Sequence, residues 1–282
     1  MPVTGGIKFF DQSKADSRTG AFIGGASSGL PAAPFIIDRN KYTRWLSVGS
    51  NDTIMEFVIV EFPEQRTVSR LFLLDLNFKW LEILWWDGFA WVPFSGVTAL
   101  NGQSLVVARY TNYTETSSYF EISPVTTDQI MIRAKETHIA NQQKYLNSFV
   151  ATNELGTFQG FPVIRDATKD KKLRKSILLN GRAFVVKSLE VMRFSIDFKN
   201  YPAPTPYSDD LDLVYDLFDR DDNFLIWLCG GRNGDPYFKY QLRGFRIEDL
   251  IEVQVTNIFK DSYKNNFYNG TVKLKLILEE AA

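Results

Sequence analysis

Hydrophobic positions in the first half of the chain come in short runs separated by turn residues. Ile54 to Phe62 is apolar and β-branched, and Val68 to Leu74 follows after a break at Pro63-Glu64. Trp80 to Trp86 is closed by Asp87-Gly88, a pair that favours a tight hairpin turn. Further strands are predicted at Ala90–Phe94, Ser104–Tyr110, Ser118–Ile122 and Gln129–Ala134. Many short strands with turn chemistry between them predict an antiparallel β-sandwich. Upstream, residues 11–34 are rich in Ser, Gly, Ala and Pro and read as a loop or extended arm.

Near residue 155 the pattern changes. Leu155 to Pro162 contains two glycines and a proline and reads as a linker, dividing the chain into units 1–154 and 155–282. Two apolar runs joined by Asn180-Gly181 predict a hairpin over 176–186, and Leu189 to Phe198 continues as an alternating strand. A helix is predicted next, with Ser208 as N-cap and Asp209 and Asp210 in its first turn. Leu211, Val214, Leu217 and Phe218 share one face of it. Strands at Phe224–Cys229, Tyr237–Leu242, Ile251–Phe259 and Thr271–Leu278 complete an α+β unit. The expected class is mainly β throughout.

Composition narrows the function classes. The net charge of −1 implies neither a nucleic-acid partner nor an anionic membrane surface. Cys229 is the single cysteine, so there is no intrachain disulfide, which points to folding in a reducing cytosol. The N-terminus shows no basic stretch followed by an apolar one, and no apolar run reaches the ~20 residues of a membrane helix. Aromatic residues make up 15% of the chain; they pack inside β-structure or sit at subunit contacts. Charge is segregated: residues 163–199 carry a local +6 and residues 201–226 a local −6. These are either solvated faces or complementary surfaces of neighbouring subunits, with Lys171, Lys172, Arg174 and Lys175 facing Asp209, Asp210 and Asp212 of the next copy.

Four stretches in order carry a resemblance. They are Asp38-Arg39-Asn40 with Thr43 and Trp45, then Val58–Phe62 with Thr67–Leu71, then Ile83 through Asp87-Gly88-Phe89 to Trp91 and Phe94, then Tyr119-Phe120 through Ile130-Met131-Ile132. Together they resemble the discoidin, or galactose-binding-like, domain over roughly residues 25–140. The resemblance implies a calcium held by Asp38, Asn40, Thr43 and Glu136, oxygen ligands on a tight loop being suited to that ion. The alternative is that Asp38 and Asn40 cap the turn by bonding their own backbone. It also implies sugar binding by exposed rings beside donors, for which Tyr42, Arg44, Trp85, Trp86 and His138 are candidates. Trp45 is expected in the core.

The second unit resembles the tail-tube or tail-hub domain of long-tailed bacteriophages. The resemblance lies in element order and in the stretches Asp219–Gly231 and Arg243–Leu250. It implies a barrel or sandwich with one flanking helix, assembled as a ring, with six copies the expected number. It further implies other tail or baseplate proteins as partners, a host glycan as a contact of the sandwich, and a place in the virion tail after synthesis in the host cytoplasm. A soluble lectin-like protein is the alternative function.

Enzyme chemistry finds little footing. His138 and Cys229 are the single representatives of their types, which excludes the usual Cys/His zinc clusters. There is no nucleophile-elbow motif, and Gly230-Gly231-Arg232-Asn233-Gly234-Asp235 lacks the Gly-Lys-Ser/Thr ending of a phosphate loop. A non-enzymatic role is expected.

Overall fold

The computed structural model describes residues 6–40, 42–99, 103–158, 163–177, 183–202, 216–217, 223–229, 250–255, 261–264 and 267–276. The chain forms two compact units. Ser13–Glu154 makes the first; Gly6–Gln12 and the strands beyond Leu155 belong to the second.

The first unit is built on β4 (Glu56–Leu76) and β10 (Ser118–Ala134), two long antiparallel strands. Each replaces two strands expected from the sequence. Their ladder skips between Glu121 and Val125 and between Thr127 and Gln129. Pro124 lies in the first gap. In the second, Thr127 pairs with Arg66 and Gln129 with Glu61, leaving Phe62 to Gln65 bulged on β4. Pro63 sits in that bulge and has no N–H to donate, so the strand irregularity falls where the ladder must lose a bond.

Around this pair the strand order is β3 (Trp45–Leu46), β11 (Tyr145–Thr152), β4, β10, β5 (Leu81–Trp86), β6 (Trp91–Pro93). Four strands lie off this path. β2 (Phe22–Ala26) pairs with β4 and β9 (Arg109–Tyr110) with β5. β7 (Ser95–Ala99) pairs with β10 and β8 (Ser104–Val107) with β7. Alternation along β4 sends Val58, Val60 and Phe62 inward, where they meet Ile83, Ile130, Ile132 and Phe149 in one core. Trp45 and Phe78 pack edge to face there with centroids 6.3 Å apart. Burying each such side chain contributes about 1.5–3 kcal/mol. Residues 11–34 do not form a free arm. They carry two short 3-10 turns and β2, and Ala15, Ala21 and Ala33 are buried in the core.

The second unit is an antiparallel sheet in the order β12 (Glu154–Phe158), β1 (Gly6–Phe10), β15 (Phe224–Cys229), β16 (Leu250–Val255), β18 (Phe267–Leu276), β14 (Ala183–Pro202), β13 (Val163–Ile177). β17 (Asp261–Lys264) pairs with β18. β1 lies along β15 from Gly6↔Cys229 to Phe10↔Leu225, with Phe9 against Phe224 and Phe10 against Trp227. Among the described residues, β1 thus lies in the sheet of the second unit, Ser13–Glu154 forms the sandwich, and β12 returns to the sheet that holds β1. Of the barrel or sandwich expected, no closed barrel is observed: among the described strands the path runs open from β12 to β13.

β13 and β14 form the expected hairpin, closing at Ile177↔Ala183; its Asn180-Gly181 turn lies outside the described residues. β14 pairs with β18 from Arg193 to Pro202, whereas its N-terminal half pairs, among the described residues, with β13 alone. Lys171, Arg174 and Lys175 stand opposite Glu190, Val186 and Val185, and Lys172 falls at a register shift. Asp216 and Leu217 are helical, in the predicted helix; Asp209, Asp210 and Asp212, and the strand expected at Tyr237–Leu242, lie outside the described residues. Among the described residues no helix is long and apolar enough to cross a membrane.

Candidate binding site

The loop before β3 folds around Asp38. Its Oδ1 accepts the backbone N–H of Asn40 at 2.8 Å, and its Oδ2 accepts the Thr43 hydroxyl at 2.9 Å. Asn40 repeats the motif two residues on, its Oδ1 accepting the N–H of Tyr42 at 3.0 Å. These are the self-capping turns that short polar side chains make. Arg39 has φ +60°, the left-handed region that glycine enters without strain. The structure thus brings Asp38, Asn40 and Thr43 together.

Glu136 is not part of that group in the contacts observed; its carboxylate lies 3.9 Å from Lys79 Nζ. The side chain that reaches the loop is Asn147, from β11. Its Nδ2 donates to the Asn40 carbonyl at 3.2 Å and, by a closer contact, to the Thr43 carbonyl. No group of three or more His, Cys, Asp or Glu suited to a metal occurs among the described residues. With one carboxylate and its oxygens engaged by N–H and O–H donors, the loop does not offer the six to eight oxygens calcium takes.

Beyond the loop, Trp45 is 1% exposed, in the core as expected, and its Nε1 donates to the Ser28 carbonyl at 3.0 Å. Tyr42 is 76% exposed. The Arg44 guanidinium lies over the Tyr145 ring, 4.8 Å from its centroid. Neighbouring loops are stitched to this end of the unit. Gln143 Nε2 donates to the Ser47 carbonyl, the fully buried Lys144 donates to the Asn51 carbonyl, and Asp52 binds Thr137 and the N–H of Asn141. Burial pushes the Lys144 amine down, partly offset by the negative charges of Glu56 and Asp52.

The other aromatic candidates lie elsewhere. Trp85 and Trp86 end β5, whereas Tyr42 and Arg44 precede β3, and β3 and β6 stand at opposite ends of the strand order. Strand alternation separates even Trp85 from Trp86. Trp85 turns inward, packing on the core beside Phe94, while Trp86 turns to the outer face. There it faces Trp91 across the β5–β6 hairpin, centroids 5.4 Å apart and planes tilted by 59°. Both rings are half-buried. The turn is held by Asp87, whose Oδ1 accepts the N–H groups of Phe89 and Ala90 at 2.8 and 2.7 Å. Those hydrogen bonds, Ala90's foremost, hold the Asp87 carboxyl below its ordinary range. Phe89 at the tip is 92% exposed.

The same outer face continues along β5 through Leu84 to Glu82, with Met131 and Arg133 beside them on β10. Glu82 is buried between two guanidinium groups. Arg109 Nε reaches its Oε1 at 2.8 Å, and Arg133 Nη1 reaches its Oε2 at 3.0 Å. Arg109 also lies 6.0 Å from the Trp80 ring centroid. One sheet face thus carries a paired-tryptophan platform at one end and a compact Arg-Glu-Arg cluster at the other. Phe89 and Trp91 were read from the sequence as parts of a resembling hairpin but not as site residues, and Arg109, Arg133 and Asn147 were not singled out. The alternation of β5 against β6 carried the signal for Trp91; the others depend on cross-strand register.

His138, the single histidine, has its Nε2 buried without a hydrogen-bond partner, so that nitrogen is not paired with a nucleophile.

No family model matches the chain, and no curated protein matches it. Solved structures do match, over about half of the chain. Chitosan-binding module 1 from a chitosanase/glucanase of Paenibacillus sp. IK-5 is 16% identical, covering 51% of this chain and 99% of that one, with a TM-score of 0.39. The family 32 carbohydrate-binding module of Clostridium perfringens NanJ, solved with galactose, is 18% identical over 51% and 99%, also at 0.39. Chitosan-binding module 2 from the Paenibacillus enzyme, solved with chitotriose, is 16% identical over 45% and 92%, at 0.35. Likeness at this level transfers no residue role and no ligand. Nothing in these matches bears on the tail or baseplate expectation.

Proposed function

We propose that Ser13–Glu154 is a non-catalytic carbohydrate-binding sandwich whose ligand lies along the outer face of β5. The observation that carries this reading is the Trp86–Trp91 pair, two half-buried rings held on a rigid hairpin beside the fully presented Phe89. Aromatic rings with open faces suit the apolar C–H faces of sugars, and the indole N–H groups supply donors at the edge. Arg109 and Arg133 stand four residues along β5, about 13 Å away at strand spacing, and offer planar donors to ring hydroxyls or acidic substituents. That separation favours an oligosaccharide over a single sugar. Isothermal titration against galactosides, chitooligosaccharides and acidic oligosaccharides tests the reading. Binding is expected, with a loss of at least tenfold in Trp91→Ala. Absence of binding across these classes, or unchanged affinity in Trp91→Ala, overturns it.

A second reading is favoured by the β13–β14 hairpin. Its outer half is two-stranded among the described residues, and isolated two-stranded ribbons are marginal in water. In this reading the hairpin is completed by another copy of the chain in a ring, with tail or baseplate proteins as neighbours and a virion location. Native mass spectrometry tests it: a closed oligomer that dissociates when residues 171–189 are replaced by a short turn supports it, and a monomer at micromolar concentration sinks it.

A further inference from the structure

The loop before β3 has the shape of a cation cradle without a cation's donor set. Two main-chain carbonyls, of Asn40 and Thr43, converge on one point, and that point is occupied by the Asn147 side-chain amide. Asn147 is 6% exposed, so its amide makes these contacts from a buried position. The orientation of the amide follows from chemistry: both facing atoms are acceptors, so the NH₂ end must point at them. The Asn40 carbonyl also accepts the Thr43 backbone N–H at 3.2 Å, and the single Thr43 hydroxyl hydrogen is shared between that carbonyl at 3.0 Å and Asp38 Oδ2 at 2.9 Å. Asp38 is consumed in turn by the Asn40 N–H.

We infer that the Asn147 amide stands in for a metal ion, making the loop a metal-independent clasp that one substitution converts into a cation site. The two amide hydrogens supply the positive potential that the convergent carbonyls require, and β11 supplies the rigidity. A carboxylate at the same place would set negative charge against two carbonyl oxygens in a buried setting. That arrangement is unfavourable unless a cation comes between them. With Asp38 it would also provide the second carboxylate that calcium sites use. The clasp holds the Asn40 and Thr43 carbonyls and leads directly into Arg44 and Trp45, so its integrity sets how those side chains are presented.

Thermal melts of the wild type and of Asn147→Asp, each in EDTA and in millimolar calcium, test this. The wild type is expected to melt at the same temperature in both, and terbium is expected to show no luminescence sensitised by Trp45. Asn147→Asp is expected to melt lower in EDTA, by about 5 °C or more, and to recover at least half of that loss in calcium. A wild type whose melting temperature rises with calcium, or that binds terbium stoichiometrically at this loop, overturns the inference. So does an Asn147→Asp protein that melts alike in EDTA and calcium. If the variant does not fold in either condition, the wild-type calcium and terbium titrations decide the outcome alone.

Discussion

Asp52 binds Thr137 twice across 85 residues of sequence, accepting its backbone N–H at 3.2 Å and its hydroxyl at 2.9 Å through one carboxylate oxygen. The other oxygen takes the N–H of Asn141 at 3.0 Å. One carboxylate thus ties the segment before β4 to the turn before β11.

This contact makes stability depend on pH. Burial pulls the Asp52 carboxyl upward, but the hydrogen bonds from Asn141 and Thr137, with Lys144 nearby, more than offset it and hold the carboxyl below its ordinary range. A depressed carboxyl contributes stability that is present above its unfolded value, about 3.9, and is lost as pH falls through the lower folded value. Denaturant midpoints measured from pH 7 to pH 2 are therefore expected to drop more steeply below pH 4 in the wild type than in Asp52→Asn. At pH 7 the variant is expected to be less stable by about 1 kcal/mol, since the site is partly open to solvent.

The Glu82 cluster should respond asymmetrically. Glu82 is 3% exposed in its side chain, whereas Arg109 and Arg133 retain solvent contact. Glu82→Ala frees two guanidinium groups that can rehydrate, and is expected to cost about 2 kcal/mol. The double variant Arg109→Ala/Arg133→Ala strands a buried carboxylate and is expected to cost about 3–5 kcal/mol. Urea denaturation of the two proteins decides the order; the reverse ranking would show that Glu82 rehydrates easily.

Two glycines near the same loops separate steric demand from chance. At Gly29, φ is +64° and an added Cβ would lie 1.9 Å from the Leu46 carbonyl oxygen, a backbone atom. Gly29→Ala is expected to destabilise by at least about 2 kcal/mol, through strain and through displacement of Trp45. At Gly49 a Cβ meets nothing within 4 Å, and Gly49→Ala is expected to stay within about 0.5 kcal/mol of wild type. Comparison of thermal midpoints checks both.

Trp45 anchors the loop from below. Trp45→Phe keeps an aromatic ring against Phe78 but removes the donor to the Ser28 carbonyl. A loss of about 1–2 kcal/mol is expected, larger than a surface substitution gives, with the buried-indole emission reduced but not abolished, since Trp227 is also fully buried. An unchanged denaturation midpoint would mean that water replaces the indole donor.

Much of the fold was legible locally. The runs at Ile54–Phe62, Trp80–Trp86 and Gln129–Ala134 became strand segments because β-branched and aromatic residues flanked by turn signals have few other options. The Asp87-Gly88 turn followed the same logic, as did the pairing of β13 with β14. The fusion of segments into β4 and β10 was not legible. Pro63 reads as a break, yet a bulge in its own strand absorbs it and the strand continues, as it does past Pro124 in β10. Nor was the place of β1 visible, since the five residues that pair with β15 lie more than two hundred positions away from it.

For the candidate site the division is similar. Asp38, Asn40 and Thr43 were readable as a turn because their bonds run between residues two to five apart. Asn147 lies more than a hundred positions from the loop it clasps, and no local pattern marks it. Local chemistry in this chain sets strands, turns and the inward placement of Trp45, because those outcomes depend on neighbours in sequence. Register between distant strands sets the rest: which of Trp85 and Trp86 meets solvent beside Trp91, which arginines enclose Glu82, and which side chain fills the Asp38 loop. Such choices depend on the sum of many long-range pairings, so they exist only once the sheet has assembled.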